Sequence, residues 1–231
     1  MNKKDLLFIL FALALFLPFV LCNDAYEWYK GFNREHAYIM AFIKFAILAT
    51  VGEMLGLRIK TGNYSETGFG IIPRMAIWGL LGIWIALAMK VFGGGVPPVV
   101  EYLGVEGAVS AMAGAFTWQK LAGAFAISVM MNTSFAPVFM TIHKITDAHI
   151  LNNKGKLSAL ITPIPFGKLL ASLNWEVQWG FVFKKTIPFF WVPAHTLTFL
   201  LPADMQVLFA ALLSIVLGVL LSIAAVKARK A

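Results

Sequence analysis

The amino-acid sequence predicts an all-α fold, a polytopic helical membrane bundle, and three observations carry that prediction. Of 231 residues, 60% are hydrophobic and only 13% charged, where soluble domains are nearer half apolar and a quarter charged. The mean hydropathy is +0.80. The apolar residues gather in runs close to the roughly 20 helical residues that cross a hydrocarbon core about 30 Å thick. About six transmembrane helices are expected, with an interfacial amphipathic helix, in a single domain in which residues 1–36 extend a bundle over 37–231.

The first run, Leu6 to Cys22, follows Lys3-Lys4. It reads either as a signal peptide or as an uncleaved first helix, and the second reading is favoured. Asn23 to Glu35 reads as a polar loop, with Tyr26, Trp28 and Tyr29 suited to a membrane interface. Ala37 to Leu57 is the second span and carries Lys44 and Glu53; Ile72 to Phe92 is the third, with Arg74 near its start. Gly93-Gly94-Gly95-Val96-Pro97-Pro98 is expected to break the helix, leaving an irregular or re-entrant connection to Thr117. Trp118 to Ile142 is the fourth span, kinked by Pro137. Within the polar segment 143–180, Phe166, Leu169, Leu170, Leu173 and Val177 recur at helical spacing, which predicts the amphipathic helix. The apolar stretch from Phe181 to Val226 is too long for one crossing, and Pro202-Ala203-Asp204 divides it into a fifth and a sixth span. Pro188 and Pro193 are expected to kink the fifth.

Charge gives the orientation. With the N-terminus inside, the inner segments hold two cations before the first span, three over 58–74, six over 143–185 and three after the last span, fourteen of the nineteen Lys and Arg. Cytoplasmic segments are enriched in this way, so both termini are expected in the cytoplasm. The net charge of +8 is accounted for by this bias, and no basic stripe with interleaved aromatics suggests nucleic acid. A lone cysteine, Cys22, excludes an internal disulfide.

Helices in lipid associate through small residues and polar contacts. Small residues fall on one face at Ala210, Ser214, Gly218 and Ser222; at Ala124, Ser128, Asn132 and Ala136; at Gly79, Gly82 and Ala86; and at Ala46, Ala49 and Gly56 with Glu53. These are packing seams, or else the polar members Ser128, Asn132 and Glu53 line a water-filled path. Ionisable groups within spans are costly and point to function. Glu53 could pair with Arg74 structurally or serve a pore, and Lys44 could snorkel outward. On the fifth helix Pro188, Trp191, His195, Thr198 and Pro202 share a face. His195 could hydrogen-bond a carbonyl freed by proline, or protonate near neutral pH and gate a path. The pore or polar-face residues are therefore Glu53, Arg74, Ser128, Asn132, His195 and Thr198. No catalytic spacing is present, and His143, Asp147 and His149 are only weakly metal-like, so neither an enzyme, a metal nor a cofactor is expected.

Several of these residues together resemble a known family, the 22-kDa peroxisomal membrane protein and its mitochondrial inner-membrane relatives of the Mpv type. Phe190-Trp191-Val192-Pro193-Ala194-His195, with Phe199, Pro202 and Leu220-Leu221-Ser222, is similar to the family's C-terminal signature. Phe135-Ala136-Pro137 with Phe139 is similar to its central segment, Val51-Gly52-Glu53 to its Gly-Asp step, and Arg74 with Gly79 and Gly82 to the helix that follows. The resemblance runs from about Ala41 to the C-terminus. Its signature Gln falls at His195, its Asn at Thr198, its Arg near Gln206, and its Asp-Gln at Met131-Asn132. It implies a polytopic membrane protein with a pore or weakly selective channel activity. Without a transit peptide, a bacterial inner membrane is the expected location. The expected partners are the lipid bilayer, a small solute and a second copy of the chain. The alternatives are a substrate-binding membrane subunit of an uptake transporter and a structural or assembly protein that transports nothing.

Overall fold

The computed structural model describes residues 3–228, with the side chains of residues 224, 225, 227 and 228 left aside. Met1, Asn2 and residues 229–231 lie outside it, and with them Arg229 and Lys230 of the charge count. The regular elements among the described residues are all helical, without a strand. Two compact units divide at Met40 and Ala41.

In the first unit, α1 (Lys3–Leu21) is followed at once by α2 (Asn23–Glu35). The segment expected as a loop is thus a helix. Asp24 in its first turn and Arg34 in its last complement the helix dipole, and Glu27 pairs with Lys30 three residues on at 2.7 Å. The aromatics pack along its length: Trp28 stacks on Phe32, and Tyr29 meets Phe19 of α1 with ring centroids 5.4 Å apart. None of the residues of α1 is buried.

The second unit holds most of α3 (Ala37–Thr61), then α4 (Ile71–Tyr102), the short α5 (Ala108–Ala111), α6 (Trp118–Ser134) and α7 (Ala136–Asn152). Past a 3₁₀ turn at Leu157–Leu160 come α8 (Phe166–Ser172), α9 (Trp175–Val177), a π-helix at Gln178–Trp191, α10 (Val192–Leu200) and α11 (Ala203–Ala228). Among the described residues four helices are long and apolar enough to cross a membrane: Lys3–Leu21, Ala37–Thr61, Ile71–Tyr102 and the part of α11 to Ile223. A fifth is reached if α6 and α7, bent by 47°, form one span.

Several elements differ from the sequence expectation. The glycine–proline stretch does not break α4, which runs on to Tyr102. A helical proline ring presses on the carbonyl four residues earlier. For Pro97 and Pro98 those carbonyls belong to Gly93 and Gly94, whose missing Cβ atoms leave the backbone room to adjust. The expected irregular connection therefore begins only after Tyr102. The span around Pro137 is two helices, interrupted at Phe135, two residues before the proline. The helical spacing from Phe166 to Val177 does not form one helix: α8 ends at Ser172, and Leu173 is extended. The stretch carrying Pro188 is a π-helix, with i→i+5 hydrogen bonds, and it returns to α geometry at Val192, just before Pro193. Lys44 is buried at 5% exposure rather than snorkelling, with Asp204 acting on it electrostatically.

The seams of small residues are where the helices meet. On α4, a Cβ at Gly82 would lie 2.5 Å from Phe45 Cβ and 2.8 Å from the Ala41 carbonyl of α3. Between α3 and α11, a Cβ at Gly56 would lie 2.8 Å from Ser222 Oγ, and one at Gly52 3.0 Å from Ile215 Cα. Ala124, Ser128 and Asn132 of α6 are fully buried, and the Ser128 hydroxyl donates to the Val192 carbonyl of α10 at 2.7 Å.

Candidate functional site

The second unit encloses a cavity of about 490 Å³, lined by residues of α3, α4, α6, α7, the π-helix, α10 and α11. Aromatic and aliphatic side chains such as Phe45, Phe135, Phe139 and Leu217 make most of its wall. Two groups of polar side chains interrupt that wall.

The first group centres on Arg74, one turn into α4. Its Nη1 donates to Glu53 Oε2 of α3 and to Asp147 Oδ1 of α7, each at 2.6 Å. Its Nε donates to the Phe69 carbonyl at 2.7 Å, and the guanidinium lies 4.6 Å from the Phe69 ring centre. The local fold dictates this meeting. Gly70 immediately precedes α4 with φ +69°, and a Cβ there would sit 2.7 Å from Gly155 Cα. Only glycine permits that approach, which brings the start of α4 against the turn that ends α7, and so Arg74 against Asp147. His143, one turn before Asp147, has Nε2 3.5 Å from Glu53 Oε1 and 3.6 Å from Asp147 Oδ2. Its ring lies 4.3 Å from that of Trp78. One fixed cation thus serves two carboxylates, with an imidazole facing both. Lys144 approaches Asp147 at 4.0 Å from the exposed side.

Glu53, His143 and Asp147 each offer a ligand atom within 4.8 Å of the others, an arrangement that could hold a metal ion. Here the Arg74 guanidinium provides the positive charge between the two carboxylates. His149 takes no part: its Nε2 meets the Ala159 carbonyl at 3.0 Å.

The second group joins α6 to α10. Asn132 Nδ2 donates to the Ser128 carbonyl at 2.9 Å and meets His195 Nδ1 at 3.0 Å. An amide nitrogen can only donate, so His195 Nδ1 accepts and its proton resides on Nε2. The Trp191 and His195 rings lie 5.0 Å apart. His195 thus takes a side-chain amide, not a backbone carbonyl freed by proline.

Of the residues singled out in the sequence, Glu53, Arg74, Asn132 and His195 line this one cavity. Ser128 and Thr198 do not. Ser128 fastens α6 to α10, and Thr198, fully buried, donates to the Ala194 carbonyl at 2.9 Å. Pro137, Pro188 and Pro193 are also absent from the lining. Among the lining residues that escaped the sequence reading of the polar face are His143, Asp147, Gln178 and Thr186. The first two left a signal, an imidazole and a carboxylate four residues apart on one helical face. The other two did not, because a π-helix changes which residues share a face. Gln178, Val182, Thr186 and Trp191 line the cavity at steps of four, four and five, and a period of 3.6 does not select that set.

No family model, no curated protein and no solved structure matches this chain.

Proposed function

We propose that this chain is an integral membrane protein of channel or transporter type that holds a small molecule inside its helical bundle. The observation that carries this reading is that Glu53, Asn132 and His195, from three different elements, line a single cavity. Its volume lies within the range of about 300–1,000 Å³ usual for small-molecule sites, and its walls are apolar with a few converging polar groups. Intramembrane ionisable residues that face a cavity mark substrate or ion paths, and the Glu53–Arg74–Asp147–His143 group is of that kind. The six-span arrangement, with both termini in the cytoplasm of a bacterial inner membrane, belongs to the same proposal. It rests on the bias of Lys and Arg and on the runs of apolar residues. The family resemblance is held on the quoted residues alone.

The test is flux. Protein reconstituted into liposomes is expected to pass at least one member of a broad solute panel, and Glu53→Gln, which keeps the side-chain shape, to change that flux at least tenfold. Absence of flux over the whole panel would sink the transport reading. Tight one-to-one capture of a solute without flux would move the assignment to a substrate-binding subunit.

A further inference from the structure

The chemistry of the occupant can be read from what the cavity leaves unsatisfied. Besides Trp78 Nε1, which is placed toward Glu53, four buried side-chain atoms on its lining residues have no hydrogen-bond partner among the described residues: Asn132 Oδ1, Trp191 Nε1, Gln178 Nε2 and His143 Nδ1. Asn132 is 0% exposed and Gln178 5%. Left unmade, such bonds cost about 1–3 kcal/mol each, and native proteins keep few of them. Asn132 is also locked in orientation, since its Nδ2 already serves Ser128 and His195. Its Oδ1 can therefore only accept. Beside it, Trp191 Nε1–H and His195 Nε2–H can only donate.

Shape narrows the class further. The lining positions on α3 run from Phe45 to Lys60, and those on α11 from Ala210 to Ser222. At 1.5 Å per residue these are about 22 Å and 18 Å of helix. Lining positions spread over that length of two helices describe an elongated cavity of about 490 Å³. The carboxylates on its wall already have cationic partners, because Arg74 bonds both Glu53 and Asp147 and Lys144 approaches Asp147 at 4.0 Å. Lys60 and Lys144 are exposed to solvent. An ionic group on the ligand is not called for.

We propose that the cavity takes an elongated, uncharged, largely apolar molecule of the long-chain alcohol or amide class, with its polar head among Asn132, Trp191 and His195. The head donates to Asn132 Oδ1 and accepts from the indole and imidazole N–H groups. The chain lies along Phe135, Phe139 and Leu217. This rests on the reading of the cavity as a ligand site and names the ligand's chemistry. A molecule of this kind can come from the bilayer or be a free long-chain compound.

The experiment uses the full chain in nanodiscs of one synthetic phosphatidylcholine, with hexadecanol, palmitamide, palmitate, hexadecane and butanol as probes. Retention is measured by mass spectrometry against empty nanodiscs. Hexadecanol and palmitamide are expected to be retained one per chain and at least tenfold more tightly than the other three. Trp191→Phe, which removes the N–H together with part of the indole ring, is expected to weaken retention of both about fivefold, the equivalent of one hydrogen bond, while leaving retention of hexadecane unchanged. Asn132→Leu is expected to abolish the preference over hexadecane. A long-chain molecule already present in the purified protein assigns the source to the bilayer, and a protein that arrives empty and loads from solution assigns it to the free pool. Both support the class. Equal retention whatever the head, preference for palmitate, or no retention overturns it. If no chain is retained while a hydrophilic solute crosses in a Glu53-dependent way, the ligand class fails and the transport reading stands; loss of both removes both.

Discussion

Arg74→Met is expected to cost about 3 kcal/mol of stability in detergent or nanodiscs, measured by equilibrium unfolding. The side chains of Arg74, Glu53 and Asp147 are 11%, 19% and 23% exposed, and removing one member of a buried ionic set leaves the remainder uncompensated. Arg74 bonds both carboxylates at 2.6 Å, so without it two like charges would be left facing each other. Glu53→Gln with Asp147→Asn in the Arg74→Met background is expected to restore most of the loss. A triple variant no more stable than Arg74→Met would show that the arginine acts through packing against Phe69 rather than through charge. Arg74→Lys is expected to fall between. An ammonium can approach both carboxylates but does not reproduce the planar fork that also reaches the Phe69 carbonyl.

Gly82→Ala is expected to destabilise by about 2–3 kcal/mol, the range for inserting atoms into a packed core. The neighbours of the added methyl are a Cβ at 2.5 Å and a backbone carbonyl at 2.8 Å, neither of which can swing aside. Because α3 carries Glu53 and α4 carries Arg74, pushing these helices apart is also expected to disturb the ionic group. Gly93→Ala on the same helix is the control. A Cβ there meets nothing within 4 Å, so replacing a helical glycine is expected to be neutral or to stabilise by up to about 1 kcal/mol. Equal effects at the two positions would mean that the helix contact does not depend on close approach.

Much of the fold was legible because hydrophobicity and small-residue spacing are written along single helices. The apolar runs mark α1, α3, α4 and α11, and the steps of four at Ala210, Ser214, Gly218 and Ser222 mark the face of α11 that α3 approaches. Where reading failed, local chemistry was read without its neighbours. The polarity of segment 23–35 suggests a loop and hides an aromatic face. The glycine–proline stretch suggests a break, but the glycines stand where the prolines need space. The candidate site was legible by half: Glu53 and Arg74 were matched as charges, but nothing in the linear pattern brings Asp147 or His143 to them.

By itself the sequence determined that this chain is helical and apolar enough for a membrane, and which helix faces are narrow. Those properties are periodic and belong to one segment at a time. Only the tertiary structure decided that Glu53, Asn132 and His195 share a cavity, that Lys44 is buried, and that Gln178 and Thr186 face the same space as Trp191. The physical reason is that each depends on contacts between distant segments, or on a helix whose period departs from 3.6. The Gly70–Gly155 contact sets Arg74 beside Asp147 across 73 positions of chain, and neither segment alone shows which other segment it meets.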